Sequence, residues 1–355
     1  MDFSKVDTNF QTAFAQEGDF AWYRPSHSAF LLEGLPFCSP DGPYERIAPD
    51  FLPGLREGLT VLSHHTSGAA LRFSTDSRKI ALQADLHHLS YLSNMAKYGE
   101  CGFDLYYYGA QGYQFLHTFS PAAGEASLAE AWSLPDNLTG FTEFLLYFPL
   151  YSGVQKMRVG LLPDAEFGPL HKRAQPSPIL FYGSSITQGA SAGRPGSCYP
   201  AIVCRALDTP LINLGFSGNA KGDLALAQQI GRLTLSAFVM DYDYNAPCPA
   251  FLAQTHQPFF QAVRDAHPDL PILLLSRVAG NPDCAVDTRQ RREIIQQTYV
   301  QAKAAGDKHV AFLDGEAFWA EVDPRECPAD LCHPNDLGFF LMAKHVLPAL
   351  QRLLR

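Results

Sequence analysis

Between residues 179 and 353, short apolar runs alternate with longer amphipathic stretches, and this alternation excludes most folds. Strand-like runs fall at 179–183, 210–215, 237–241, 271–276 and 309–314, and helix-like stretches at 197–207, 221–233, 252–266, 287–305 and 335–353. Strands separated by helices must return to the same end of a sheet each time, which predicts a parallel sheet with helices on both faces. Sites in such sheets form beyond the carboxyl ends of the strands. The residues that close each strand-like run therefore carry the search for function.

The first run, Pro178-Ile-Leu-Phe-Tyr-Gly-Ser-Ser-Ile-Thr-Gln-Gly189, stops abruptly at Gly183-Ser184-Ser185. A buried strand that ends in glycine and then small hydroxyl residues delivers one side chain to the rim of the sheet. Ser185 is thus a candidate nucleophile, although a serine in this position, taken alone, is more often a turn or cap residue. Its hydroxyl is weak until a base takes the proton and donors stabilise the oxyanion. Three later segments offer those parts: Asn213-Leu-Gly-Phe-Ser-Gly-Asn219, Asp241-Tyr-Asp-Tyr-Asn245 and Asp330-Leu-Cys-His333-Pro. An Asp three residues before a loop histidine can accept its Nδ1–H, leaving Nε2 to receive the serine proton. Asp314, at the end of the preceding strand, is a rival acid; Asp330 is preferred because loop spacing alone brings it beside His333. For the oxyanion, the Ser185 N–H, the unhindered Gly218 N–H and the Asn245 amide are the expected donors, against plain turn roles for Gly218 and Asn245. Arg277 is expected to pair with a nearby carboxylate, and Asn335 or Asp336 to cap the last helix.

Residues 1 to about 170 have a different rhythm, with β-rich runs broken by Gly, Pro, Asp and Asn. Leu71–Thr75 and Ile80–Leu86 alternate apolar and polar residues as half-buried strands do. Gly102–Tyr108 and Tyr113–His117 read as a hairpin around Gly109-Ala-Gln-Gly112, and Phe144–Tyr151 with Val154–Leu161 as a second pair around Ser152-Gly153. An antiparallel sandwich or jelly roll is implied, joined to the second half by the proline- and charge-rich stretch 162–178.

Composition narrows the function classes. A net charge of −9 argues against a general nucleic-acid binder, whose affinity would rest on a basic surface. No apolar run reaches membrane-spanning length and Met1–Phe10 lacks the pattern of a signal peptide, so no membrane association and a cytoplasmic location are expected. Eight cysteines, irregularly spaced, are too dilute for a disulfide scaffold, so free thiols are the default. Cys327, Cys332 and His333 match no paired-cysteine zinc spacing, and no metal site is expected.

The ordered set of segments resembles the SGNH hydrolases, also called the GDSL esterase/lipase superfamily. Gly183-Ser184-Ser185-Ile186-Thr187 matches the first block, Gly218 the second, Asn245 the third, and Asp330-x-x-His333-Pro334 the fifth. Two departures stand out: Ser184 replaces the usual Asp, and the third block lacks the common Gly-x-Asn-Asp form, so Asn219 could substitute for Asn245. Gly102-Phe-Asp104-Leu-Tyr106 is similar to the Gly-x-Asp-Leu-Tyr signature of a β-domain that precedes a subset of these hydrolases. The resemblance implies a β-sandwich or jelly-roll-like accessory domain over 1–170 and a flavodoxin-like three-layer α/β/α catalytic domain over 171–355. It implies Ser185 as nucleophile, His333 as base, Asp330 as its orienting acid, and Gly218 and Asn245 as oxyanion donors. The expected activity is a serine esterase removing a small acyl group, above all O-acetyl from carbohydrate, with no cofactor; an acyltransferase using the same triad is the alternative. The expected partner is an acylated small molecule or oligosaccharide. Tyr182, Tyr242, Tyr244 and Trp319 could stack on a sugar, with core packing the simpler use of each. The sandwich could narrow the site, bind glycan or mediate homo-oligomer formation.

Overall fold

The computed structural model describes residues 14–278 and 285–355; the Met1–Phe10 segment and Cys284, read above from sequence, lie outside the described residues. The N-terminal half contains strands β1 (Ala21–Tyr23), β2 (Leu31–Glu33), β3 (Ala70–Thr75), β4 (Lys79–His87), β5 (Phe103–Gly109), β6 (Gly112–Phe119), β7 (Ser127–Ser133), β8 (Thr142–Tyr147) and β9 (Gly153–Leu161), with helices α1 (Glu57–Ser63) and α2 (Lys97–Cys101) in its loops. They form two antiparallel sheets, ordered β1-β9-β4-β7 and β2-β3-β8-β5-β6. Phe73, Leu82, Phe103, Phe144 and Val159, all fully buried, fill the space between them.

Two expectations are corrected here. The β5–β6 hairpin forms, but β8 and β9 do not pair: they belong to different sheets. Residues 148–151 do not fold back around Ser152-Gly153, because Phe148 N–H bonds Ala69 O, and Leu150 and Tyr151 bond Gly99 O and Glu100 O. The corner thus crosses from one sheet to the other. Nor is β3 half-buried; all six of its residues are covered. Its sheet packs on the sandwich core with one face, and on the other Ala70, Tyr106, Leu145 and Tyr147 join the core of the second half. The polar residues on that face are compensated in pairs, with Arg72 Nε 2.6 Å from Glu143 Oε1.

The second half follows the predicted alternation closely. Strands β10 (Ile179–Gly183), β11 (Leu211–Gly215), β12 (Ala237–Asp241), β13 (Ile272–Leu275) and β14 (Val310–Leu313) form one parallel sheet in the order β11-β10-β12-β13-β14. Helices α3 (Ser185–Gln188), α4 (Tyr199–Ala206), α5 (Leu224–Ile230), α6 (Pro249–Ala266), α7 (Ala285–Ala304) and α8 (Asp336–Leu353) connect them. Alternate strand residues feed two apolar layers. Phe181, Val239 and Leu273 pack with α4 and α8, whereas Leu180, Phe238, Met240 and Leu274 pack with α5 and α6. Strands buried on both faces read as continuous apolar runs, which is why they were legible. The strand order reverses at β10, so the crevice of this sheet opens at the end of that strand.

The connecting stretch 162–178 is an ordered strap. Arg173 lies between Glu33, at 2.6 Å, and Asp208, at 3.2 Å, and His171 reaches both Glu143 and Asp208 at 3.0 Å. A second clasp is deeper. Arg46, 1% exposed, donates to the carbonyls of Leu62 and His65 within its own half and of Asn213 and Gly215 on β11, over 2.5–3.1 Å. Burial lowers its pKa to about 9, so the guanidinium is still charged at neutral pH. The signature Asp104, fully buried, makes a third clasp, accepting from Thr118 Oγ1 at 2.7 Å, Gly196 N–H at 2.8 Å and Arg194 at 2.9 Å.

An ammonium cannot span carbonyls that a planar fork reaches in three separate segments. Arg46→Lys is therefore expected to destabilise the protein by about 3 kcal/mol through unpaired buried carbonyls, read as a lowered midpoint of urea unfolding. A wild-type midpoint would show that the fork is dispensable.

Candidate active site

The site starts from the way β10 ends. After Gly183 the chain turns straight into α3, with Ser184 as N-cap, its hydroxyl accepting Ile186 N–H at 3.2 Å. A β-carbon at Gly183 would come within 2.0 Å of Thr187 Oγ1, so only glycine permits so tight a turn. Ser185 becomes the first helical residue, 7% exposed, and its N–H is among those a helix start leaves without an internal partner. Below it, Asp241 at the end of β12 accepts from Tyr199 OH at 2.7 Å and Thr187 Oγ1 at 3.0 Å. Burial pushes the Asp241 carboxyl up to about 7, and the two hydroxyls limit the rise. Ser184 N–H also bonds Asp241 O, which fixes the turn to the neighbouring strand.

Ser185 Oγ lies 2.9 Å from His333 Nε2. On the other side of the ring, Nδ1 is 3.0 and 2.9 Å from the two oxygens of Asp330. The three residues expected from sequence thus form one hydrogen-bonded chain. The loop is held by its own backbone: Asp330 Oδ1 accepts the N–H groups of Cys332 and His333 at 3.1 and 2.7 Å. Asn335 caps α8 through Gly338 N–H at 3.0 Å. Burial works against charge on Asp330, yet the bonds from the His333 backbone and ring and from Asn94 outweigh it and bring the carboxyl down to about 2.

Asn94 was not foreseen. It comes from the loop between β4 and α2, and its Nδ2 donates to Asp330 Oδ2 at 2.6 Å across 236 residues of sequence. Nothing local in Leu92-Ser-Asn-Met95 announces such a role. The rival acid Asp314 is elsewhere, capping a short 3-10 turn and accepting from Ser276 Oγ at 3.2 Å. Arg277 pairs with buried Asp243 at 3.3 Å, as a strand-end arginine should.

The remaining predicted donors sit beside the turn. Phe216 N–H bonds Gly183 O at 2.9 Å, and the Asn245 amide donates to Phe216 O at 2.8 Å, with a second amide N–H to spare. Gly218, two residues on, is exposed with φ 67° and open space where a side chain would stand. Asn219 is engaged elsewhere: it accepts from Arg56 at 3.0 Å and donates to Ser217 O at 2.8 Å. Tyr182, Tyr242 and Trp319 are at most 2% exposed and Tyr244 donates to Val278 O, so all four serve the core. An open cleft of about 460 Å³ adjoins the Gly218 loop, lined by Leu62, His65, Leu92, Tyr151, Ser217 and Asn219 among others. Burial, then the charge of Arg46, lowers His65 to about 3, so its ring faces the cleft neutral.

Asp330 has a folded pKa below its ordinary 3.8, so its ionised form contributes stability in full above about pH 4, and that contribution is lost as pH falls through about 2. A carbon-detected NMR titration of the Asp330 carboxyl is expected to show a midpoint near 2. A midpoint near 3.8 would mean that the loop bonds are not kept in solution.

Comparison with known proteins agrees with this fold. Residues 176–351 match the GDSL-like lipase/acylhydrolase family, and residues 20–167 match the GxDLY family, the N-terminus of SGNH-hydrolase-type esterases. Among curated proteins none matches the chain. A solved structure described as a GDSL-like lipase, from Bacteroides ovatus, is 28% identical over 94% of this chain and 98% of its own, with a TM-score of 0.83. A salicylyl-acyltransferase from a tetracycline biosynthetic pathway is 19% identical over 95% and 98%, with a TM-score of 0.78. An acetyl xylan esterase from the rumen bacterium Butyrivibrio proteoclasticus is 14% identical over 94% and 98%, with a TM-score of 0.58. Together with the parallel sheet and its turn, these matches make the chain a member of the GDSL-like lipase/acylhydrolase family within the SGNH hydrolases, in the subset that carries a Gly-x-Asp-Leu-Tyr β-domain ahead of the α/β unit.

Proposed function

We propose that the protein is a serine esterase that removes a small acyl group from an alcohol oxygen, with O-acetylated carbohydrate as the favoured substrate. The observation that carries this reading is the chain from Ser185 Oγ through His333 to Asp330, each link within 3.0 Å. As Ser185 Oγ forms its bond to the ester carbonyl carbon, His333 Nε2 takes the hydroxyl proton, and Asp330 stabilises the imidazolium through Nδ1–H. The Ser185 and Gly218 N–H groups and the free N–H of Asn245 receive the negative charge on the carbonyl oxygen. Collapse of the intermediate breaks the bond to the alcohol oxygen, which takes the proton from His333. Water then attacks the acyl-enzyme by the same route, releasing the acid and restoring Ser185.

The substrate class rests on analogy with the carbohydrate esterases that share the fold. The open cleft beside the Gly218 loop leaves room for a substrate with one side bulkier than acetyl. A second reading is acyl transfer to a small-molecule alcohol. It is favoured by the salicylyl-acyltransferase, whose structure superposes better than that of the acetyl xylan esterase, at TM-scores of 0.78 and 0.58.

Ser185→Ala is expected to lower turnover of a chromogenic acetate ester by about 1,000-fold or more while the protein stays folded; substantial residual turnover would reject the nucleophile. Asn245→Ala is expected to cost about 100-fold in kcat with little change in KM, and an unchanged kcat would remove it from the oxyanion site. Acetate release from acetylated xylo- and manno-oligosaccharides, by wild type and not by Ser185→Ala, tests the substrate. Turnover of the chromogenic ester alone would discard carbohydrate, and silence on every ester with Ser185 still labelled by a fluorophosphonate would favour transfer.

A further inference from the structure

Among the described residues of the N-terminal half, Asn94 is the one whose side chain bonds to a side chain of the Ser185–His333–Asp330 chain. Its Nδ2 is 2.6 Å from Asp330 Oδ2 and 3.4 Å from His333 Nδ1. A carboxylate only accepts, so the amide group facing it is the NH₂ and the bond is charge-assisted. Asp330 needs such a partner. Its side chain is 38% exposed on a loop, and while Oδ1 is held by two backbone N–H groups, the partners of Oδ2 among the described residues are the imidazole and Asn94.

The mount of Asn94 is rigid. The turn that carries it is closed by Met95 N–H to Leu92 O at 3.2 Å, and the 8%-exposed Glu100 accepts Leu92 N–H at 2.5 Å. Glu100 lies on α2, where Gly99 packs so closely on Ala192 O that a β-carbon would stand 2.2 Å from it. The backbone of 99–100 is bonded in turn to Leu150 and Tyr151. The loop is thus fixed at once to the sandwich and to the segment that follows the nucleophile helix.

Resting on the esterase reading above, we infer that Asn94 is a positioning residue of the triad: by donating to Asp330 Oδ2 it holds the carboxylate in line with His333, so the β-domain completes the active site. Asn94 touches no reacting atom, and its effect passes through Asp330, the nearer of the two groups it reaches.

That last property gives the test. kcat and KM for a chromogenic acetate ester are measured for wild type, Asn94→Ala, Asp330→Ala and the double variant, with thermal unfolding of each. A hydrogen bond to a charged group is worth about 10- to 100-fold in rate, so Asn94→Ala is expected to lower kcat by that factor with KM within about twofold. In the Asp330→Ala background the same substitution is expected to change kcat less than about twofold, since its partner is gone. Equal loss in both backgrounds, or wild-type kcat in Asn94→Ala, would overturn the role. If Asn94→Ala does not fold, Asn94→Asp takes its place: its kcat/KM relative to wild type at the same pH should rise as pH is lowered, when the new carboxyl takes a proton and can donate to Asp330. A pH profile parallel to wild type would count against the inference. Ser185→Ala run alongside separates the two readings. Turnover that survives in it overturns the nucleophile and this inference with it, whereas an inactive Ser185→Ala beside a fully active Asn94→Ala overturns only the role of Asn94.

Discussion

Edge strands of a parallel sheet present unpaired backbone groups that must be covered, and in this protein the cover is a guanidinium. Arg46 spends its donors on carbonyls from α1, from the residue two beyond it and from β11, with no carboxylate among its partners. Glycines allow the approach: a β-carbon at Gly34 would lie 2.3 Å from Gly68 O, and one at Gly68 2.5 Å from the Asn213 side chain. From this contact the order spreads toward the chemistry. Ser67 Oγ donates to Gln188 O at 2.7 Å, the Gln188 side chain receives Ser217 N–H at 3.0 Å, and Asn213 Nδ2 holds Thr187 O at 2.7 Å. The helix that begins with Ser185 and the loop that carries Gly218 are therefore both anchored to the covered edge.

The site also depends on two acids with different surroundings, one buried and one on a partly exposed loop. Asp241 sits under the nucleophile turn among hydroxyls, and burial dominates its carboxyl, whereas Asp330 gathers enough N–H donors to stay charged. One carboxyl shapes the turn and the other serves the imidazole. Asp104 of the Gly-x-Asp-Leu-Tyr signature belongs to the first kind. It organises the Arg194–Gly196 loop, whose neighbour Gly193 donates to Asp336 Oδ1 at 2.8 Å at the start of α8. The signature thus reaches the far side of the histidine loop by two contacts.

What was legible in the sequence was local or repetitive. Four of the five parallel strands are buried on both faces and read as apolar runs for that reason, and Asp330 and His333 are three residues apart on one loop. Ser185 stood out because its strand-end turn is followed, in order, by three segments that offer a base, an acid and oxyanion donors. What escaped depends on partners far along the chain. Asn94 and Arg46 are ordinary loop residues until residues 236 and 167 positions away arrive. The Ser152-Gly153 corner has hairpin composition, and only the competition from Ala69, Gly99 and Glu100 carries β9 into the other sheet. Arg72 and Ser74 gave β3 the look of a strand facing water because no local signal announces that a second domain will cover them.

The Arg46 clasp has a consequence for how the polypeptide is made. Synthesis delivers the N-terminal half first, at about 5–20 residues per second. The two antiparallel sheets can close on their own apolar filling as they leave the ribosome. Arg46 cannot finish its contacts then, because the carbonyls of Asn213 and Gly215 lie 167 and 169 residues downstream. From the end of β9 to Gly215 is 54 residues, or roughly three to eleven seconds of translation, and over that interval Arg46 still lacks the two β11 carbonyls among its acceptors. Arg46 can complete its contacts only once β11 has been made, so full seating of the N-terminal half waits for the second.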